Sequence, residues 1–141
     1  MGNYQDLIFF QKARKATKDI NALIKNWPKT MQAQEISRQL FRSASSIGAN
    51  IAEGHGRHEG TEYIHCLIIA QGSSNETEHW LYTAQDCGLG PTQQIGAILR
   101  LNNEIMRMIT TTINTLSAKQ PSKRIRKVEM NYATDLKPID E

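Results

Sequence analysis

An all-α fold, an up-down-up-down antiparallel four-helix bundle with a flexible C-terminal tail, is predicted by three observations. Apolar residues recur at steps of three and four in four separate segments, and almost nothing alternates with period two. The connections between the segments are short, which favours antiparallel neighbours over long crossovers. At 141 residues the chain has room for one compact core and little more.

The first helix is placed at about residues 4–26, because Phe9, Ala13, Ala16, Ile20, Leu23 and Trp27 form a seam suited to knobs-into-holes packing. Pro28 stops it, since the residue before proline is pushed out of the helical region. The second, about 32–54, carries Ala33, Leu40, Ala44, Ile47 and Ile51 on one face. A third, about 59–87, steps through Tyr63, Leu67, Ala70, Ser74, Thr77, Leu81 and Ala84, and Gly88 with Gly90-Pro91 ends it. Thr92 is expected to cap the fourth, about 92–117, whose seam is Ile95, Ile98, Asn102, Ile105, Ile109 and Leu116. Ile64, Ile68, Leu99, Met106 and Ile113 form second stripes, which call for a second partner within the bundle or beyond it. Residues 1–117 therefore read as the bundle and 118–141 as a charged tail, basic then acidic.

No apolar run approaches a membrane span, and the N-terminus MGNYQDLIFF lacks the pattern of a secretory signal. Cys66 and Cys87 fall 21 residues apart on one predicted helix, roughly 30 Å, too far to bridge. A cytoplasmic location is the resulting expectation. Net charge is +3, with the strongest basic cluster, Lys123, Arg124, Arg126 and Lys127, in the tail.

The stretch SSIGANIAEGHGRHEG at 45–60 holds four glycines and two histidines. A Walker-type phosphate loop would need a preceding strand and a lysine after the last glycine, and neither is present. Gly48 falls inside the second helix, where it marks a kink or a close helix contact. Gly54 and Gly56 are read as the hinge where the chain reverses. Glu62-x-x-His65 and Glu76-x-x-His79 each match the unit used by di-iron bundles, but one helix holds them about 21 Å apart, so they cannot share a site. His58, Glu62 and His65 line one stripe, a pattern open to a lone divalent ion and equally to solvated residues beside the core; no metal and no cofactor is assigned. No nucleophile-base arrangement stands out, so the chain is expected not to be an enzyme.

Ser43 and Asn50 on the second helix and Ser74 and Thr77 on the third suggest a polar layer of the kind that fixes register in bundles. Glu53 and Arg57, four apart, are expected to pair. Lys12, Lys15 and Lys18 follow at three-residue steps on the first helix, and Arg38 and Arg42 share a face of the second. With Arg57 and the tail cluster, they are the candidate contacts to an RNA or DNA backbone, a salt-sensitive mode of binding. Few aromatics accompany them, so base stacking is not expected.

YQDLIFFQKA at 4–13, QLFRSASSIGANIAEGHGR at 39–57 and AQGSSNETEHWLYTA at 70–84 resemble the four-helix-bundle proteins encoded by intervening sequences in bacterial large-subunit ribosomal RNA genes, a family that includes the accessory variability determinant of diversity-generating retroelements. Asn50, Glu53, Gly54, Gly56 and Arg57 carry the most specific part. Gly48, Phe10 and Phe41 stand where the family more often has proline, tryptophan and a basic residue. The resemblance implies a non-enzymatic homo-oligomer, a pentamer. In the retroelement branch it further implies binding to nucleic acid and to a reverse transcriptase. Two functions follow as expectations: an oligomeric nucleic-acid-binding accessory protein, or a protein-interaction scaffold of the ribosomal-insert type with no direct nucleic-acid role.

Overall fold

The computed structural model describes residues 2–57 and 60–119. A 3-10 turn at Tyr4–Asp6 leads into α1, Ile8–Ile24, followed by α2, Met31–Arg57, α3, Gly60–Asp86, and α4, Thr92–Ala118. α1 packs on α2 and α4, and α3 packs on the same two helices, so α1 and α3 stand at opposite corners of the bundle.

The predicted seams form the core. Ala33, Leu40, Ala44, Ile47 and Ile51 of α2 are buried, as are Leu67, Ala70, Ser74, Thr77, Leu81 and Ala84 of α3. Ile64, Ile68 and Ile113 are buried too, so these second stripes find their partners inside the bundle. The hydrophobic core falls into two clusters. One gathers Phe9, Phe10, Ile51, Leu67 and Ile109 near the α2–α3 turn, and the other Leu23, Trp27, Leu40, Leu81 and Ile95 at the far end.

Between the clusters lies the polar layer. Thr77 donates its hydroxyl to Ser43 Oγ at 2.9 Å, and Ser74 donates to Asn102 Oδ1 at 2.8 Å while Asn102 Nδ2 returns a bond to Ser74 O at 3.0 Å. Ser73 donates to Ser46 Oγ at 3.0 Å, and Asn50 Nδ2 donates to the same oxygen at 3.1 Å. Each short side chain thus meets a partner on a neighbouring helix or within its own. A one-turn slip of α3 or α4 would bury these groups unpaired, which costs about 1–3 kcal/mol each.

At the far end, Trp27 Nε1 donates to Gly90 O at 2.7 Å and ties the α1–α2 corner to the α3–α4 corner. Gly88, at φ 73°, ends α3 in the left-handed region, with Leu89 N bonding back to Ala84 O at 2.9 Å. α2 is capped by Thr30, whose Oγ1 accepts from Ala33 N at 3.2 Å.

Three expectations need correction. The first helix does not run from residue 4: the chain turns once at Tyr4–Asp6, breaks at Leu7 in extended geometry, and restarts at Ile8. Thr92 is not a cap but the first residue of α4; Pro91 holds the cap position, and no side-chain oxygen caps this end. Gly54 and Gly56 are not a hinge, because α2 continues through both to Arg57. A β-carbon on Gly54 would lie 2.7 Å from Cys66 Cβ and 2.9 Å from the Tyr63 ring, so its lack of a side chain serves the close approach of α3. Gly56 faces open space. His58, the tail beyond 119 and the cluster Lys123, Arg124, Arg126 and Lys127 lie outside the described residues.

Candidate functional site

The residues of the 45–57 stretch divide between two faces of α2. Asn50, Glu53 and Arg57 look toward α3 and line a recess of about 560 Å³ with Glu62, His65 and Ile69. Arg57 donates to Glu53 at 2.9 Å and lies 3.7 Å from Glu62 across the turn. These two carboxylates hold the guanidinium above its ordinary pKa, Glu53 the more strongly. The expected Glu53–Arg57 pair is therefore present, and it leaves Arg57 no surplus charge to offer a phosphate. Beneath, Cys66 is buried, and desolvation followed by the nearby Glu53 raises its thiol pKa. Burial likewise raises the Tyr63 phenol. Among the described residues no three His, Cys, Asp or Glu side chains converge as metal ligands, and Glu62 and His65 do not form such a group.

The other face of α2 opens into a groove against α1. Ser45, Gly48, Ala49 and Ala52 supply a floor of small residues beside Phe10 and Ala13, in a recess of about 630 Å³ rimmed by Arg14 and Lys18. Gly48 forms part of this floor, a β-carbon there sitting 3.6 Å from the Phe10 ring, an ordinary contact. Farther along, Ile24, Trp27 and Ser37 line a second recess of about 560 Å³ with Lys25, Lys29 and Arg38. Phe41, itself 42% exposed, stands between the two and lines both. No carboxylate lines either recess. This continuous groove was not recognisable in the sequence as a site, although its small residues step 45, 48, 52 along one face of α2.

Of the six predicted phosphate contacts among the described residues, five are ion-paired. Lys12 reaches Glu104 of α4 at 2.8 Å, and Lys15 reaches Asp19 at 2.6 Å. Arg38 pairs with Glu35, and Arg42 lies 3.4 Å from Glu76 of α3. Lys12 holds the Glu104 carboxyl below the usual carboxylate range, and Gln39 followed by Arg38 does the same for Glu35. Of the predicted helix cations, Lys18 alone has no ion pair among the described residues, and it lies on the groove rim with the similarly unpaired Arg14, Lys25 and Lys29.

Charge is thus unevenly divided between opposite corners. α1 carries Lys12, Arg14, Lys15 and Lys18 against Asp19, whereas α3 contains Glu62, Glu76, Glu78 and Asp86 and neither lysine nor arginine. α3 also exposes Ile69 at 43% and Tyr82 at 51%, about 140° apart around the helix, and its apolar residues spread around it more evenly than those of the other three. Among the described residues no helix is long and apolar enough to cross a membrane.

Comparison with curated proteins gives no match. Among solved structures, the chain is similar to a protein of unknown function from the S23 ribosomal protein family of Bacteroides thetaiotaomicron, a crystal structure at 1.70 Å. The two share 29% sequence identity at a TM-score of 0.69, over 75% of this chain and 98% of that one. The family model of the 23S rRNA-intervening sequence protein matches residues 5–111, a span from the 3-10 turn nearly to the end of α4. The chain therefore belongs to the 23S rRNA-intervening sequence protein family.

Proposed function

We infer that this chain is a non-enzymatic protein-interaction bundle, working in the cytoplasm as a homo-oligomer, with the pentamer implied by the resemblance as the expected assembly. The observation that carries it is the pairing of Lys12, Lys15, Arg38, Arg42 and Arg57 with carboxylates, beside a groove whose floor is apolar and small. Neutralised cations release few counterions from a nucleic acid, so they contribute little to backbone binding. A groove floored by glycine and alanine, in contrast, lets another helix approach closely. The test is the solution mass of nuclease-treated protein by light scattering. A multiple of 15.9 kDa that survives nuclease supports the reading, and a monomer at every concentration overturns it.

A second reading, binding to an RNA or DNA backbone, draws on one observation: Arg14, Lys18, Lys25 and Lys29 line the groove rim without carboxylate partners among the described residues. Structured RNA that binds tightly at low salt and is lost as salt rises would favour it. Support of a reverse transcriptase in a diversity-generating retroelement is a narrower form of this reading. It rests on the resemblance carried by the 4–13, 39–57 and 70–84 stretches.

A further inference from the structure

We propose that the α1–α2 groove of one copy receives the outward side of α3 from the next, so that the bundle is complementary to itself through two different faces. This rests on the self-association inferred above and names the surfaces that perform it.

Charge is the first reason. Within the described residues the acidic side chains without an ion pair are Asp6, Glu78 and Asp86, and two of these three lie on α3. The cations without one include Lys18, Lys25 and Lys29 on the groove rim. Each face thus lacks the counter-charges that the other supplies.

Register is the second. Glu78, Tyr82 and Asp86 recur every four residues and form one exposed stripe of α3, whereas Ile69 lies about 140° around the helix from Tyr82. The three stand 18, 22 and 26 residues beyond the start of α3 at Gly60, and equal counts back from the end of α2 at Arg57 reach Gln39, Glu35 and Met31. Two copies side by side at one height therefore bring Tyr82 level with Glu35, between Gln34 and Ser37 of the second recess. In the same alignment Glu78 falls within about a turn of Lys18 and Lys25, and Asp86 comes level with Lys29. The Tyr82 ring meets the second recess, and the carboxylates on either side of it meet ammonium groups, without any vertical shift.

Orientation is the third. α3 runs antiparallel to α2 within its own bundle, and a neighbour at the same height presents its α3 to α2 in that same sense. The contact is heterologous, because the two mating faces differ, and it closes as a ring when the rotation between neighbours permits.

Charge reversal tests the assignment. Lys18, Lys29, Glu78 and Asp86 are all exposed, so the variants should keep the helical circular-dichroism spectrum of the parent. Lys18→Glu with Lys29→Glu, and separately Glu78→Lys with Asp86→Lys, should each weaken assembly on the order of 100-fold, read as light-scattering mass against concentration. All four substitutions in one chain should restore it, a rescue that general destabilisation cannot produce. Half-variants that assemble like the parent would overturn the face assignment while leaving self-association intact. Half-variants that dissociate without rescue by the fourfold variant would overturn the charge pairing. A parent that is monomeric throughout would remove both this proposal and the reading beneath it.

Discussion

Gly54 of α2 and Cys66 of α3 meet so closely that a β-carbon on the glycine would lie 2.7 Å from Cys66 Cβ. Real β-carbons do not approach one another to that distance, and Cys66 Cβ is fixed to the α3 backbone. Gly54→Ala therefore has to part the helices. Overpacking of this kind costs about 1–3 kcal/mol, against the ~1 kcal/mol that alanine gains over glycine in a helix. The balance is a net loss of up to about 2 kcal/mol in urea unfolding. Gly56→Ala, two residues on in open space, should instead stabilise by about 0.5–1 kcal/mol. Opposite signs from two helical glycines in one motif would identify the close contact as the cause.

Asn102 bonds both the hydroxyl and the carbonyl of Ser74 in the buried layer between the two apolar clusters. Asn102→Leu leaves the Ser74 hydroxyl without this acceptor and should cost about 1–3 kcal/mol. Adding Ser74→Ala removes the stranded group and should recover much of that loss. A double-mutant cycle by chemical denaturation checks the coupling, which is expected to exceed about 0.5 kcal/mol.

Cys66 is buried with a raised thiol pKa, while Cys87, just past the end of α3, is exposed. Alkylation depends on the thiolate and on access. Iodoacetamide at mildly alkaline pH should label native protein at Cys87 and spare Cys66, with both labelled in denaturant. Peptide mass spectrometry reads the sites directly.

Glu104 and Glu35 have carboxyl pKa values lowered in the folded chain, the first by Lys12 and the second by Gln39 and then Arg38. A lowered folded value means that the contribution to stability is present above the usual glutamate range and is lost as pH falls through the folded pKa. Lys12→Ala should move the Glu104 carboxyl back up toward an ordinary glutamate in a side-chain NMR titration. It should leave Glu35 where it is.

Helix number and seams were legible because steps of three and four cannot be confused with strand alternation over segments this long. The polar layer was partly legible: Ser43, Ser74 and Thr77 interrupt apolar positions, but Asn102 was read only as part of a seam, and Ser46 and Ser73 lie where polar residues attract no notice. Glycine misled at 54 and 56, since a turn and a tight helix contact both select it, and only the position of Cys66 and Tyr63 decides between them. The cations show the same limit. Asp19 and Glu35 stand four and three residues from their partners and could have been paired by spacing. Glu104, 92 positions from Lys12, could not. The groove escaped because it belongs to two helices at once, and a sequence shows each helix alone.

The central claim is that copies of this chain mate through the α1–α2 groove and α3, and a disulfide across that contact tests it most directly. Gln34→Cys and Tyr82→Cys, combined in a chain with Cys66→Ala and Cys87→Ser, should give a ladder of linked protomers on a non-reducing gel under mild oxidation. Gln34 lines the second recess and is exposed, and Tyr82 is exposed on the facing stripe. Either cysteine alone should yield no ladder beyond a dimer. A double variant that links no further than the single ones would contradict the account.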